Sequence, residues 1–198
     1  NVPCTVVEHN KNIPSKLILS LFHLLFKHWV HYIELKDISS LPLNAIRKFN
    51  PPYDDIKRVD SVLIKNGFNL LLSDKKENRR FRIALERWSS SYDRGDTLDS
   101  ILDCCSSLEA LIDCDDEKRL RLALSVYYVL GKKELMLKTY ELYGVRNSFI
   151  HGAEIPQVTV QKQKEYIELV SIVILRIIRN GKVPKKSELD KKIIEHYQ

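Results

Sequence analysis

Asp96-Thr-Leu-Asp-Ser-Ile-Leu-Asp-Cys-Cys-Ser-Ser-Leu-Glu-Ala-Leu-Ile112 decides the fold class of this chain. Asp96 or Thr97 can cap a helix, because a short oxygen-bearing side chain accepts the N–H groups that the first turn leaves unpaired. Behind that cap, Leu98, Ile101, Leu102, Cys105, Leu108 and Ile112 recur in steps of three and four, as one buried helical face requires. Glu109 falls inside that apolar stripe, between Cys105 and Ile112. A carboxylate placed there needs a partner, since burying an unpaired charge is costly.

The same periodicity continues toward the C-terminus. A helix is expected from about Glu117 to Leu130, stopped by Gly131. Another is expected from Lys132 to His151, stopped by Gly152 and Pro156. A third, from about Thr159 to Arg179, is apolar nearly all round and is expected to be the most buried. Asn180-Gly181 and Pro184 end it. Toward the N-terminus the signals weaken. Asp74 to Arg80 is a charge run that reads as the solvated start of a helix reaching Trp88 or Ser89, with a loop from Ser89 to Gly95. Residues 56–72 stay ambiguous, because Asn66-Gly67 between two apolar runs fits a hairpin or two short helical pieces. Pro42 and Asn50-Pro51-Pro52-Tyr53-Asp54 mark turns. The apolar run Leu17 to Leu35 is interrupted by His23, Lys27, His28 and His31, which favours a buried or interfacial helix over a membrane span. The expected architecture is an all-α bundle over residues 76–198. Residues 1–75 are a further, mostly helical segment, read as the end of a preceding domain packed on that bundle.

Of the 198 residues, 44% are hydrophobic, enough for a packed core and too many for a disordered chain. The formal net charge of +6 suits a polyanionic partner. None of the four cysteines, Cys4, Cys104, Cys105 and Cys114, has zinc-ligand spacing, so no metal site and no cofactor are expected. They read as reduced core thiols of a cytoplasmic protein. His23, His28 and His31 have helical spacing but no evident further ligand. The chain starts Asn1-Val2-Pro3, which reads as a piece of a longer or processed protein.

The chemistry concentrates in Arg146-Asn147-Ser148-Phe149-Ile150-His151-Gly152. Arg can hold a phosphate as a two-pronged donor, and His can move a proton near neutral pH. On an ideal helix the two side chains lie about 140° apart. Leu135, Leu142 and Phe149 define one apolar face, with Met136, Tyr143 and Ile150 beside it, and Arg146 falls inside that stripe and points partly inward. His151 shares a separate stripe with Tyr140, Gly144 and Asn147. Glu109 is the expected partner of Arg146. Gly144 is unfavourable within a helix, so either something approaches closely there, such as a phosphate or another helix, or the glycine breaks or kinks the helix. Arg79, Arg80, Arg82 and Arg87 are candidates to follow an RNA backbone, against the simpler reading of a solvated face.

From about Arg79 to Arg179 the sequence resembles the HEPN domain, in its ApeA-like branch. The segment Asp99 to Leu111 is similar to that branch's helix ending in Leu-Glu-Ala-Leu. Arg119-Leu-Arg-Leu-Ala-Leu to Leu130-Gly131 is similar to the helix that follows. Arg146-Asn-Ser-Phe-Ile-His151 fits the family's signature of Arg, a polar residue, then His. The resemblance implies a HEPN-like helical bundle over 76–198. It also implies a metal-independent endoribonuclease of antiviral defence or toxin systems. Arg146 and His151 would be catalytic, with Asn147 in the polar position and Glu109, Tyr140 and Gly144 supporting. RNA is the implied substrate, and a homodimer or paired HEPN domain the implied assembly. HEPN toxins paired with a nucleotidyltransferase antitoxin carry Tyr two residues beyond the His; Ala153 stands there in this chain. The alternatives are a non-catalytic RNA-binding or dimerisation module, and a structural helical domain of a larger sensor protein.

Overall fold

The computed structural model describes residues 14–26, 61–113, 117–152 and 157–196. Among these residues the chain is all-α, with no strand. The described helices are α1 (Ser15–Phe26), α2 (Ser61–Leu72), α3 (Lys76–Asp93), α4 (Thr97–Ile112), α5 (Lys118–Leu130), α6 (Lys133–Ile150), α7 (Val160–Asn180) and α8 (Lys186–His196). No described helix is long and apolar enough to cross a membrane.

Capping chemistry explains several of these ends. The Asp96 carboxylate accepts the Leu98 and Asp99 N–H groups at 2.8 and 3.0 Å and starts α4. Thr159 accepts the Lys162 N–H and starts α7. Gly131 and Gly181 close α5 and α7 in the left-handed conformation that glycine adopts without a β-carbon penalty.

Two expectations in the N-terminal half change. Residues 61–72 form one continuous helix, with Asn66-Gly67 inside it and not at a turn. A β-carbon on Gly67 would lie 2.9 Å from Leu21 Cδ1, so the glycine lets α1 and α2 approach closely. Helix α3 runs on through the expected loop at Ser89-Ser90-Ser91 to Asp93. The serines are helical because small side chains are what the α3–α4 contact demands. Ser91 and Ser100 are fully buried, and Ser100 Oγ donates to the Ser91 carbonyl at 2.8 Å. Ser107 Oγ donates to the Ala84 carbonyl at 2.7 Å on the same seam.

Helices α3 and α4 form one tight hairpin, α5 and α6 another, and α7 touches each of the described helices that precede it. One hydrophobic cluster links them, including Leu21, Leu71, Phe81, Trp88, Leu108, Val126, Leu142 and Ile174. Leu17, Leu21 and Leu24 of α1 and Leu70 and Leu71 of α2 belong to this cluster, so the described part of residues 1–75 shares the core of residues 76–198. Trp88 donates its indole N–H to Ser171 Oγ at 2.9 Å, which pairs the one polar atom of a ring that is otherwise buried. Cys104 and Cys105 are free and buried, and burial pushes the Cys104 thiol up to about 12. Of the apolar run at Leu17–Leu35, only the part within α1 is described; Lys27, His28 and His31 lie outside the described residues, as do Cys4, Cys114 and Ala153. The His23 ring is packed against Trp88 and Tyr92, with centroids 5.4 and 4.9 Å away.

Candidate functional site

Helix α6 carries the motif. Its buried positions are Leu135, Thr139, Leu142, Tyr143 and Val145. The apolar faces read from the sequence extend further than this: Phe149 is half-buried and Ile150 exposed, because the last turn of α6 emerges from the bundle. His151 follows as the C-cap and is exposed. Its N–H donates to the Asn147 carbonyl at 3.0 Å, and Gly152, left-handed at φ 65°, donates to the Phe149 carbonyl at 3.4 Å. The helix thus stops at the imidazole and leaves it facing solvent.

Arg146 points the other way, toward α4. Its Nη2 lies 3.8 Å from Glu109 Oε1, with the two side chains 24% and 27% exposed. That is a half-buried ion pair and not a hydrogen bond, so the attraction is weaker than a buried, bonded pair would have. The shorter bond to Glu109 comes from the Tyr143 hydroxyl, which donates to the same oxygen at 2.7 Å. Burial, and then that bond to the carboxylate, raise the Tyr143 hydroxyl well above its ordinary value, so it remains a donor. The Arg146 guanidinium also sits 5.0 Å from the Tyr143 ring centroid. Its Nη1 donates to Asn147 Oδ1 at 3.1 Å. Asn147 is therefore turned toward Arg146, and its contact with His151 is through the backbone.

Gly144 is neither a break nor a kink, since α6 is continuous through it. What approaches it is Arg119 of α5. A β-carbon at 144 would lie 2.6 Å from Arg119 Nη2 and 3.0 Å from its Cζ. The Arg119 guanidinium lies over the Tyr140 ring, 3.8 Å from its centroid, and its Nε donates to the Tyr140 carbonyl at 3.0 Å. A shallow, open depression of about 460 Å³ lies here, bordered by Lys118, Arg119, Tyr140, Tyr143 and Asn147, with Glu117 on its rim. The in-helix glycine signalled a close approach, but the sequence held no sign of which group makes it. Arg119 and Tyr143 were missed for that reason.

The four arginines of α3 do not form one surface array. Arg80 donates to the Ala110 and Leu111 carbonyls at 2.9 and 2.6 Å and lies 3.4 Å from Asp113, closing the end of α4. Arg82 donates to the Leu71 and Ser73 carbonyls at the end of α2. Arg87 and Arg94 grip the buried Asp103 carboxylate from two sides, at 3.1 and 2.8 Å. Arg79 is exposed. Orphan carbonyls at helix ends are what Arg80 and Arg82 satisfy, a demand that a reading of charge along α3 does not register.

Among the described residues, no group of three or more His, Cys, Asp and Glu side chains is placed to hold a metal ion. No protein-family model, curated protein or solved structure matches the chain.

Proposed function

We propose that this chain is a HEPN-like, metal-independent endoribonuclease of a defence or toxin system, with Arg146 and His151 as its catalytic pair. The observation that carries the reading is the state of the two side chains. Arg146 is held by Asn147 and Glu109 yet keeps about a quarter of its side chain exposed, and His151 stands in solvent just beyond the same helix. A guanidinium fixed in place, with an edge left open, suits a phosphate that gains charge during reaction.

RNA supplies its own nucleophile. A base removes the 2′-OH proton, the 2′-oxygen bonds to phosphorus, and the bond from phosphorus to the 5′-oxygen breaks. An acid then protonates the leaving 5′-oxygen. The products are a 2′,3′-cyclic phosphate and a 5′-hydroxyl. His151 serves as base or acid, and Arg146 balances charge on the phosphorane. One imidazole does not readily fill both roles at once, so the working form is a two-fold dimer, or a pairing with a second such domain, that brings two motifs together.

The test is incubation of the purified chain with a mixed RNA pool in EDTA. Cleavage leaving cyclic phosphate ends, and no cleavage of DNA, is the expected result. Strict dependence on added magnesium, or cutting of DNA, would rule the mechanism out. RNA that is bound and left intact would favour a non-catalytic RNA-binding module, in which Arg146 is a structural partner of Glu109.

A further inference from the structure

We infer that Arg119 is a substrate-positioning residue, binding a phosphate of the RNA backbone adjacent to the one held at Arg146; this rests on the ribonuclease reading above. Four observations carry it. The guanidinium is held by two contacts: the Tyr140 ring covers one face, and the Tyr140 carbonyl takes Nε. Among the described residues, neither Nη atom has a hydrogen-bond or ion-pair partner. Those two nitrogens are the fork that grips phosphate oxygens, and a fork already fixed loses little freedom on binding. The group reaches this position only because residue 144 lacks a β-carbon.

The location fits the substrate. Asn147 borders the depression beside Arg119 and also accepts the hydrogen bond from Arg146. The two guanidinium groups therefore flank one side chain. Lys118 lies on the same rim and adds positive charge, opposed by Glu117. Successive phosphates along a single strand can meet successive cations across such a surface, and cationic contacts of this kind position the strand without reading its sequence.

The test measures binding separately from cleavage. A short mixed-sequence RNA is titrated with the His151→Ala chain, alone and combined with Arg119→Ala, Arg119→Lys or Gly144→Ala. Arg119→Ala should weaken binding about tenfold, the scale of a lost charged hydrogen bond. It should also lower the slope of log affinity against log salt by about 0.7, the loss of one phosphate contact on a single strand. Arg119→Lys keeps the charge but not the fork, and should recover the slope more than the affinity. Gly144→Ala is the decisive variant. Its methyl group displaces the flexible guanidinium while alanine favours the helix, so binding should fall with the thermal midpoint unchanged or raised. Unaltered affinity and slope in Arg119→Ala, or in Gly144→Ala, would overturn the assignment. If the unmodified chain binds RNA through Arg119 but never cuts it, the nuclease reading fails alone. If it binds no RNA, both fail.

Discussion

The hairpins α3–α4 and α5–α6 use arginine in opposite ways. On α3–α4 each guanidinium with a described partner is bonded to a helix-end carbonyl or to the buried Asp103, although Arg87 and Arg94 stay 51% and 45% exposed. Arg80 and Arg82 cover helix-end carbonyls, and Arg87 and Arg94 neutralise Asp103, which is only 3% exposed. On α5–α6, Arg119 and Arg146 are each fixed by neighbours that leave part of the donor fork open. On the proposed function, the difference separates charge that completes a structure from charge that meets a phosphate. Both hairpins are rich in basic residues, so composition cannot distinguish them. What each guanidinium is bonded to does: a helix-end carbonyl or a buried carboxylate in one hairpin, and neighbours on α6 in the other.

The largest expected effect tests the open side. His151→Ala should abolish RNA cleavage and leave the circular dichroism spectrum and thermal midpoint unchanged, because the side chain is exposed. Full cleavage by this variant would break the comparison at its functional end.

Removing Arg80 tests the other side. Arg80→Ala leaves the Ala110 and Leu111 carbonyls without a charged donor, and should lower stability by about 2 kcal/mol in urea denaturation. RNA affinity per folded molecule should change little. A stable variant with weakened RNA binding would show that α3 presents its charge outward after all.

Arg146 stands between the two categories. Arg146→Ala should eliminate activity and cost stability as well. In a double-mutant cycle with Glu109→Gln, the coupling should be about 1 kcal/mol, as for a partly exposed ion pair. Coupling near zero would mean that Asn147 and the Tyr143 ring alone hold the guanidinium.

The smallest effect concerns α3 and its neighbour α1. Burial against Trp88 and Tyr92 lowers the His23 imidazole below its ordinary 6.5, opposed by Asp93. The unfolded chain then takes up this proton more readily than the folded one. Stability from this group is complete above about 6.5 and is lost as pH falls toward the folded value. His23→Phe should flatten that part of the stability profile and leave RNA binding untouched, keeping acid sensitivity on the structural side.

From Asp96 to Asn180 the helices were legible almost to the residue, because caps, glycine stops and three-four periodicity are local signals, whereas α8 (Lys186–His196) beyond Pro184 was not read. The Asp96 cap and the left-handed Gly131 and Gly181 are examples. What stayed hidden depends on the partner helix. Gly67 reads as a turn until Leu21 is seen against it, and Ser89 to Ser91 read as a loop until α4 is seen to need small residues there. The motif followed the same rule. Helical geometry set Arg146 and His151 on different sides and brought Glu109 toward Arg146. The hydroxyl that bonds Glu109 and the cation that fills the Gly144 gap come from packing between side chains, which no periodicity encodes.

The Gly144 contact also constrains descent. A β-carbon at 144 and the guanidinium of Arg119 in its present place compete for one volume, so the two positions should vary together wherever that placement matters. In natural variants of this chain, a larger residue at 144 should accompany a residue other than arginine at 119. Lineages that keep the arginine should keep the glycine, despite its poor helical propensity.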